Sequence, residues 1–107
     1  MMKPPSLTVG IEEEYLLVDP GTRNLVTDPN QGLWDKAYAA IGDRVTPEFL
    51  RAQMEVGTRP HATVQDLAED LRDLRKSLGA VAASHDAAII ASSTHPFALW
   101  WEQKSTD

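Results

Sequence analysis

The sequence predicts an α+β fold, a largely antiparallel sheet with helices packed on one of its faces. Two segments, Leu7–Val18 and Glu48–Val56, alternate apolar and polar residues as half-buried strands do. Two others, Gly32–Ile41 and the stretch after Thr63, space their apolar residues as amphipathic helices do. The elements follow in the order strand, strand, helix, strand, helix, strand, which suits a layer of helices on the hydrophobic side of a sheet. At 107 residues and 11.8 kDa the chain is read as one domain, residues 1–107.

In the first strand apolar residues stand at Leu7, Val9, Ile11, Tyr15 and Leu17, and Asp19-Pro20-Gly21-Thr22 supplies turn chemistry directly after it. A short return strand at Asn24–Thr27 would close a hairpin. The first helix places Leu33, Trp34, Ala37, Tyr38 and Ile41 on one stripe, and Gly42-Asp43 ends it. In Glu48–Val56, Leu50, Ala52, Met54 and Val56 share one face, and Phe49, Arg51, Gln53 and Glu55 the other. The longest helix opens with Thr63 as N-cap and Asp66 three residues on, and buries Leu67, Leu71, Leu74, Leu78 and Val81. Its charged face (Glu69, Arg72, Asp73, Arg75, Lys76) reads as solvated and paired along the helix. Ala87–Ser93 is the last strand, ending at Thr94-His95-Pro96-Phe97.

Composition excludes several functions. With 42% hydrophobic and 24% charged residues, and no apolar run near the ~18–20 residues of a membrane span, no membrane partner is expected. Met1-Met2-Lys3-Pro4-Pro5 has no apolar core of a secretory signal. The absence of cysteine removes disulfides, thiolate metal sites and a cysteine nucleophile, and fits a cytoplasmic location. Ten basic against 16 acidic residues give a net charge of −6, which argues against a nucleic-acid partner.

Three consecutive glutamates, Glu12, Glu13 and Glu14, sit inside a strand although glutamate is depleted there and like charges repel. Strand geometry sends Glu12 and Glu14 to one face, about 6.6–6.8 Å apart, and Glu13 to the other. Paired carboxylates suit a hard divalent cation such as magnesium. An edge strand charged against aggregation would look the same, and the motif alone leaves both readings open. Gln53 and Glu55 repeat the spacing on the second long strand. If the two strands are neighbours, Glu12, Glu14 and Glu55 converge on a volume fit for one or two cations. The alternative is a solvated face neutralised by Arg51 and Arg59. At the end of the last strand the proline of Thr94-His95-Pro96 holds His95 extended, although a lone histidine is more often a structural hydrogen bonder. His61 and His85 flank the long helix without an evident partner. Trp34, Trp100 and Trp101 are assigned to packing, with Trp100-Trp101 also a candidate contact surface. No nucleophile elbow, P-loop, Rossmann fingerprint or HExxH is present.

The string Thr8-Val9-Gly10-Ile11-Glu12-Glu13-Glu14-Tyr15-Leu16-Leu17-Val18-Asp19, then Gln53-Met54-Glu55 with Thr58, then Thr94-His95-Pro96-Phe97-Ala98 and a nearby tryptophan, resembles the start of the type 2 glutamate–cysteine ligase family. These are bacterial carboxylate-amine ligases related in fold to glutamine synthetase, so the resemblance implies part of a glutamine synthetase-like ligase fold. It also implies an ATP-dependent ligase: magnesium-bound ATP phosphorylates the γ-carboxylate of glutamate, and the amine of cysteine or another acceptor attacks the acyl phosphate. Carried over by position, Glu12, Glu14 and Glu55 are metal ligands, with Glu55 and His95 catalytic and Gln53 and Thr94 in contact with ATP or substrate. Partners would then be ATP, glutamate and an amine acceptor, with Mg2+ as cofactor. Family members are longer, and the matching residues are those of their N-terminal portion, so the chain is expected to be the N-terminal fragment of such a ligase. An alternative of another class is a non-catalytic module that binds a divalent cation or a partner through the same acidic face. Self-association as a homo-oligomer along the exposed sheet edge and Trp100-Trp101 is a further expectation.

Overall fold

A computed structural model describes residues 2–107. Four strands, β1 (Glu12–Val18), β2 (Val45–Pro47), β3 (Gln53–Gly57) and β4 (Ala88–Ile90), form one sheet in the order β2-β3-β1-β4. Every pairing is antiparallel. Two helices, α1 (Gln31–Ile41) and α2 (Val64–Ala83), lie on one face of it. The expected α+β arrangement is therefore the one observed.

Period-two alternation divides β1 between two clusters. Tyr15 and Leu17 join Met54 and Val56 of β3 against Leu33, Ala37 and Ile41 of α1 and Leu74, Leu78 and Val81 of α2. Leu16 and Val18 turn to the opposite face, where they pack with Leu25, Ala52 and Ala98. The helix ends follow their capping chemistry. Asn30 Oδ1 accepts from the Gly32 N–H at 2.7 Å, and Thr63 Oγ1 accepts from the Asp66 N–H at 3.1 Å. Gly42, at φ 62°, ends α1 in a backbone conformation that side chains disfavour.

Several boundaries differ from expectation. The first strand begins at Glu12 rather than Leu7; upstream of it, Val9 makes a single bridge to His61. The return strand at 24–27 contracts to one bridge, Val18 to Leu25, and the Asp19 carboxylate caps the intervening turn. The segment Glu48–Val56 is not one strand. A turn at Leu50–Gln53, closed by Gln53 N–H to Leu50 O at 3.0 Å, reverses the alternation. Ala52 consequently packs on the face opposite Met54 and Val56. Val45–Pro47, too short to stand out as a strand, pairs with β3 as β2. β4 ends at Ile90.

The charged face of α2 is not paired along the helix. Arg75 instead reaches β1 and binds both oxygens of Glu13, at 2.7 and 2.5 Å. Trp34 packs against the main core beside Tyr38, whereas Trp100 and Trp101 are largely exposed. Among the described residues no helix is long and apolar enough to cross a membrane.

Candidate functional site: an unpaired carboxylate face

Placing β3 beside β1 creates the site. In the observed register Glu14 stands directly opposite Glu55, Glu12 opposite Gly57 and Leu16 opposite Gln53. Strand alternation thus brings Glu12, Glu14, Gln53 and Glu55 to the face away from the helices. Glu13 projects to the helical side, where the Arg75 guanidinium holds its carboxyl below the usual carboxylate range against the opposing effect of burial. The Tyr15 hydroxyl is buried beside this pair without a well-formed hydrogen bond. Burial and the adjacent carboxylate raise its pKa.

On the outer face the situation is reversed. Glu55 faces the carboxylates of Glu48 and Glu12, and its pKa is pushed up to about 7, first by Glu48, then by desolvation, then by Glu12. Glu48 reaches the site because β2 pairs with β3, Thr46 opposite Glu55, and the chain leaves β2 alongside it. Neither arginine expected to neutralise this face does so. Arg51 binds Asp28 at 3.0 Å, and Arg59 binds Asp43 at 3.0 Å. Among the described residues Glu12, Glu14, Glu48 and Glu55 make no ion pair with any basic side chain. A cavity of about 230 Å³ is lined by Glu12 and Glu55 together with Thr58, Asp43, Arg44 and Arg59, the two arginines being engaged by Asp70 and Asp43.

Hard carboxylate oxygens outside any ion pair are the donor set that Mg2+ accepts. The fit is one of chemistry: among the described residues no three carboxylate or histidine side chains are drawn together tightly enough to form a finished cation cage. Mg2+ keeps several waters and shares its remaining positions with phosphate, so it does not require one.

The remaining candidates are placed as follows. Gln53 Nε2 donates to Glu14 Oε1 at 2.9 Å, and its Oε1 accepts from the Leu50 N–H at 2.9 Å. His95 lies at the other end of β1. Its Nδ1 accepts from the N–H groups of Phe97 and Ala98, at 3.2 and 3.0 Å, which leaves Nε2 to donate to the Arg23 carbonyl at 2.7 Å. Both ring nitrogens thereby hold backbone. Thr94 is exposed in the same loop, its carbonyl accepting from Ser92 Oγ at 2.8 Å. His61 does have a partner. Its Nε2 lies 2.7 Å from Asp70 Oδ2, and Asp70 also binds Arg44 at 3.0 Å and the Arg59 N–H at 3.0 Å, which keeps its carboxyl below the usual range. Glu48 was not among the residues the sequence singled out. The polar Thr46 and Glu48, two apart beside Val45, carried the signal.

Residues 8–107 match the model of glutamate–cysteine ligase family 2. Over 109 aligned residues the chain is 50% identical to a Rhodospirillum rubrum protein named "Putative glutamate--cysteine ligase 2", covering 98% of this chain and 28% of that one. Proteins of the same name from Ruegeria pomeroyi (48% identity, 92% and 26% covered) and Solibacter usitatus (38%, 94% and 26%) are similar in the same way. The chain spans about a quarter of the length of these relatives.

Proposed function

The chain belongs to glutamate–cysteine ligase family 2, and from that premise we propose that it forms the N-terminal part of an ATP-dependent carboxylate-amine ligase of glutamine synthetase-like fold. Its outer sheet face would supply the Mg2+ ligands. One observation carries the reading: Glu55 is flanked by Glu48 and Glu12, with Glu14 opposite, and among the described residues none of the four is in an ion pair with a basic side chain. A fold that gathers like charges in this way loses stability unless a cation binds there.

Glu12, Glu14 and Glu55 would hold the metal, with Glu48 added to the set. The bound Mg2+ would neutralise phosphate charge on ATP, since phosphoryl transfer depends on positioning and charge compensation more than on covalent help. In the reaction so inferred, the γ-carboxylate of glutamate takes the terminal phosphoryl group of ATP, and the amine of cysteine or another acceptor displaces phosphate from the acyl phosphate. The strands' part is to hold the carboxylates facing one volume, where a bound cation would favour their ionised form. His95, with both nitrogens committed to backbone, would shape the Thr94–Ala98 loop rather than transfer a proton, and Thr94, exposed in that loop, would meet substrate. A cytoplasmic location, where ATP and glutamate are abundant, goes with this reading.

Calorimetric titration with Mg-ATP, with and without glutamate, tests it. Nucleotide binding that depends on Mg2+ and strengthens with glutamate is the expected result. Binding of bare Mg2+ with no response to nucleotide would instead favour a non-catalytic cation-binding module.

A further inference from the structure

The carboxylates of this molecule are held by donors of differing charge. Glu13, Asp28, Asp43 and Asp70 are each bound by a guanidinium, which cancels their charge. Glu14 is bound by the neutral amide of Gln53. The orientation of that amide is unambiguous: a backbone N–H can only donate and a carboxylate only accept, so the oxygen must face Leu50 and the nitrogen Glu14. Gln53 therefore spans two structures at once, the β1 carboxylate on one side and the Leu50–Gln53 turn on the other. That turn joins β3 to the segment bearing Glu48.

We propose that Gln53 is a positioning residue, a neutral clasp that fixes the Glu14 carboxylate relative to the turn below Glu48 without cancelling the charge a divalent cation would meet. The proposal rests on the cation-holding reading of the face and goes beyond it, since it takes Gln53 out of the ligand set. An arginine or lysine at the same position would orient Glu14 equally well and spoil it as a ligand. Partners of metal ligands that act in this way commonly contribute 10–100-fold to metal affinity.

Mn2+ alone is the probe, titrated into the 107-residue chain and followed by electron paramagnetic resonance, with amide exchange at Leu50 measured on the metal-free protein. In Gln53→Met, which keeps the bulk and loses both bonds, Mn2+ should bind about 10–100-fold more weakly and the Leu50 amide should exchange faster. Gln53→Lys, which retains a donor for Glu14 but brings a charge, should bind Mn2+ at least as weakly as Gln53→Met. Gln53→Asn, too short to make both bonds, should repeat the weakening and serves if Gln53→Met does not fold. Wild-type Mn2+ affinity in a folded Gln53→Met or Gln53→Asn protein, an undisturbed Leu50 amide, or full affinity in Gln53→Lys would each overturn the proposal while leaving the cation site standing. A wild-type chain that takes up no Mn2+ would overturn the site itself, and the clasp with it.

Discussion

Replacing Glu55 by glutamine should make the metal-free protein more stable at alkaline pH, although the residue is proposed to be a ligand. The ordinary carboxyl value of 4.5 rises to about 7 at Glu55 because Glu48 and Glu12 face it. The folded state therefore keeps a proton that the unfolded chain has already released between about pH 4.5 and 7, and stability falls as pH rises through that window. The shift corresponds to about 3 kcal/mol. Solvent screening at a partly exposed face reduces this to about 1–2 kcal/mol. Glu55→Gln removes the charge and can donate its amide to either neighbour, so at pH 8 it should recover that amount, a rise in melting temperature of roughly 4–8 °C per kcal/mol. At pH 4 the two proteins should melt together. Mg2+ should raise the wild-type midpoint at pH 8 and leave the variant nearly unmoved. Melting curves by circular dichroism at pH 4, 6 and 8, with and without Mg2+, test each element. A Glu55→Gln protein less stable than wild type at pH 8 without metal would refute the repulsion argument.

Arg75→Met should destabilise the fold by about 1–2 kcal/mol in urea titrations, since it strands the half-buried Glu13 carboxylate beside Tyr15. Because the Glu13 pKa is lowered, that loss should be full at neutral pH and disappear below the ordinary carboxyl value, the reverse of the Glu55 profile. Asp70→Ala should cost about 2–4 kcal/mol, because Arg44, His61 and the Arg59 N–H all lose one acceptor whose side chain is only 11% exposed; equilibrium unfolding measures it. His95→Ala should accelerate amide exchange at Phe97 and Ala98 while Mg2+ binding persists, which separates a loop-holding histidine from a ligand.

The facing of Glu12, Glu14 and Glu55 was legible because it depends only on the two-residue period of a strand, which holds wherever the strand is regular. The pairing of β1 with β3 is only a condition in the sequence, since a shared pattern does not say which strands are neighbours, and the sheet supplies it. Legibility failed where a turn broke the period. Leu50–Gln53 reverses direction through one backbone hydrogen bond and a side-chain contact from Gln53, neither of which alters hydrophobic alternation, so the alternation predicts the wrong face for Ala52. Val45–Pro47, at three residues, is too short to show a strand period, and the spacing of Thr46 and Glu48 does not stand out on its own. The partners of Arg51, Arg59, Arg75 and His61 were beyond reach for another reason. Long polar side chains choose among several carboxylates by tertiary proximity, and Glu13 lies 62 residues from Arg75.

Three identical residues in succession leave a strand with little to choose between one alignment and the next. Slid by a single position against its neighbours, β1 would point Glu12 and Glu14 at Leu74 and Leu78 and turn Glu13 outward. Tyr15 and Leu17 oppose that slip by their bulk, and Arg75 opposes it by charge, since only the middle glutamate lies where its two nitrogens can grip both oxygens. The arginine on α2 thus works as an index pin for the sheet: by capturing one carboxylate behind it, it dictates which two are presented in front.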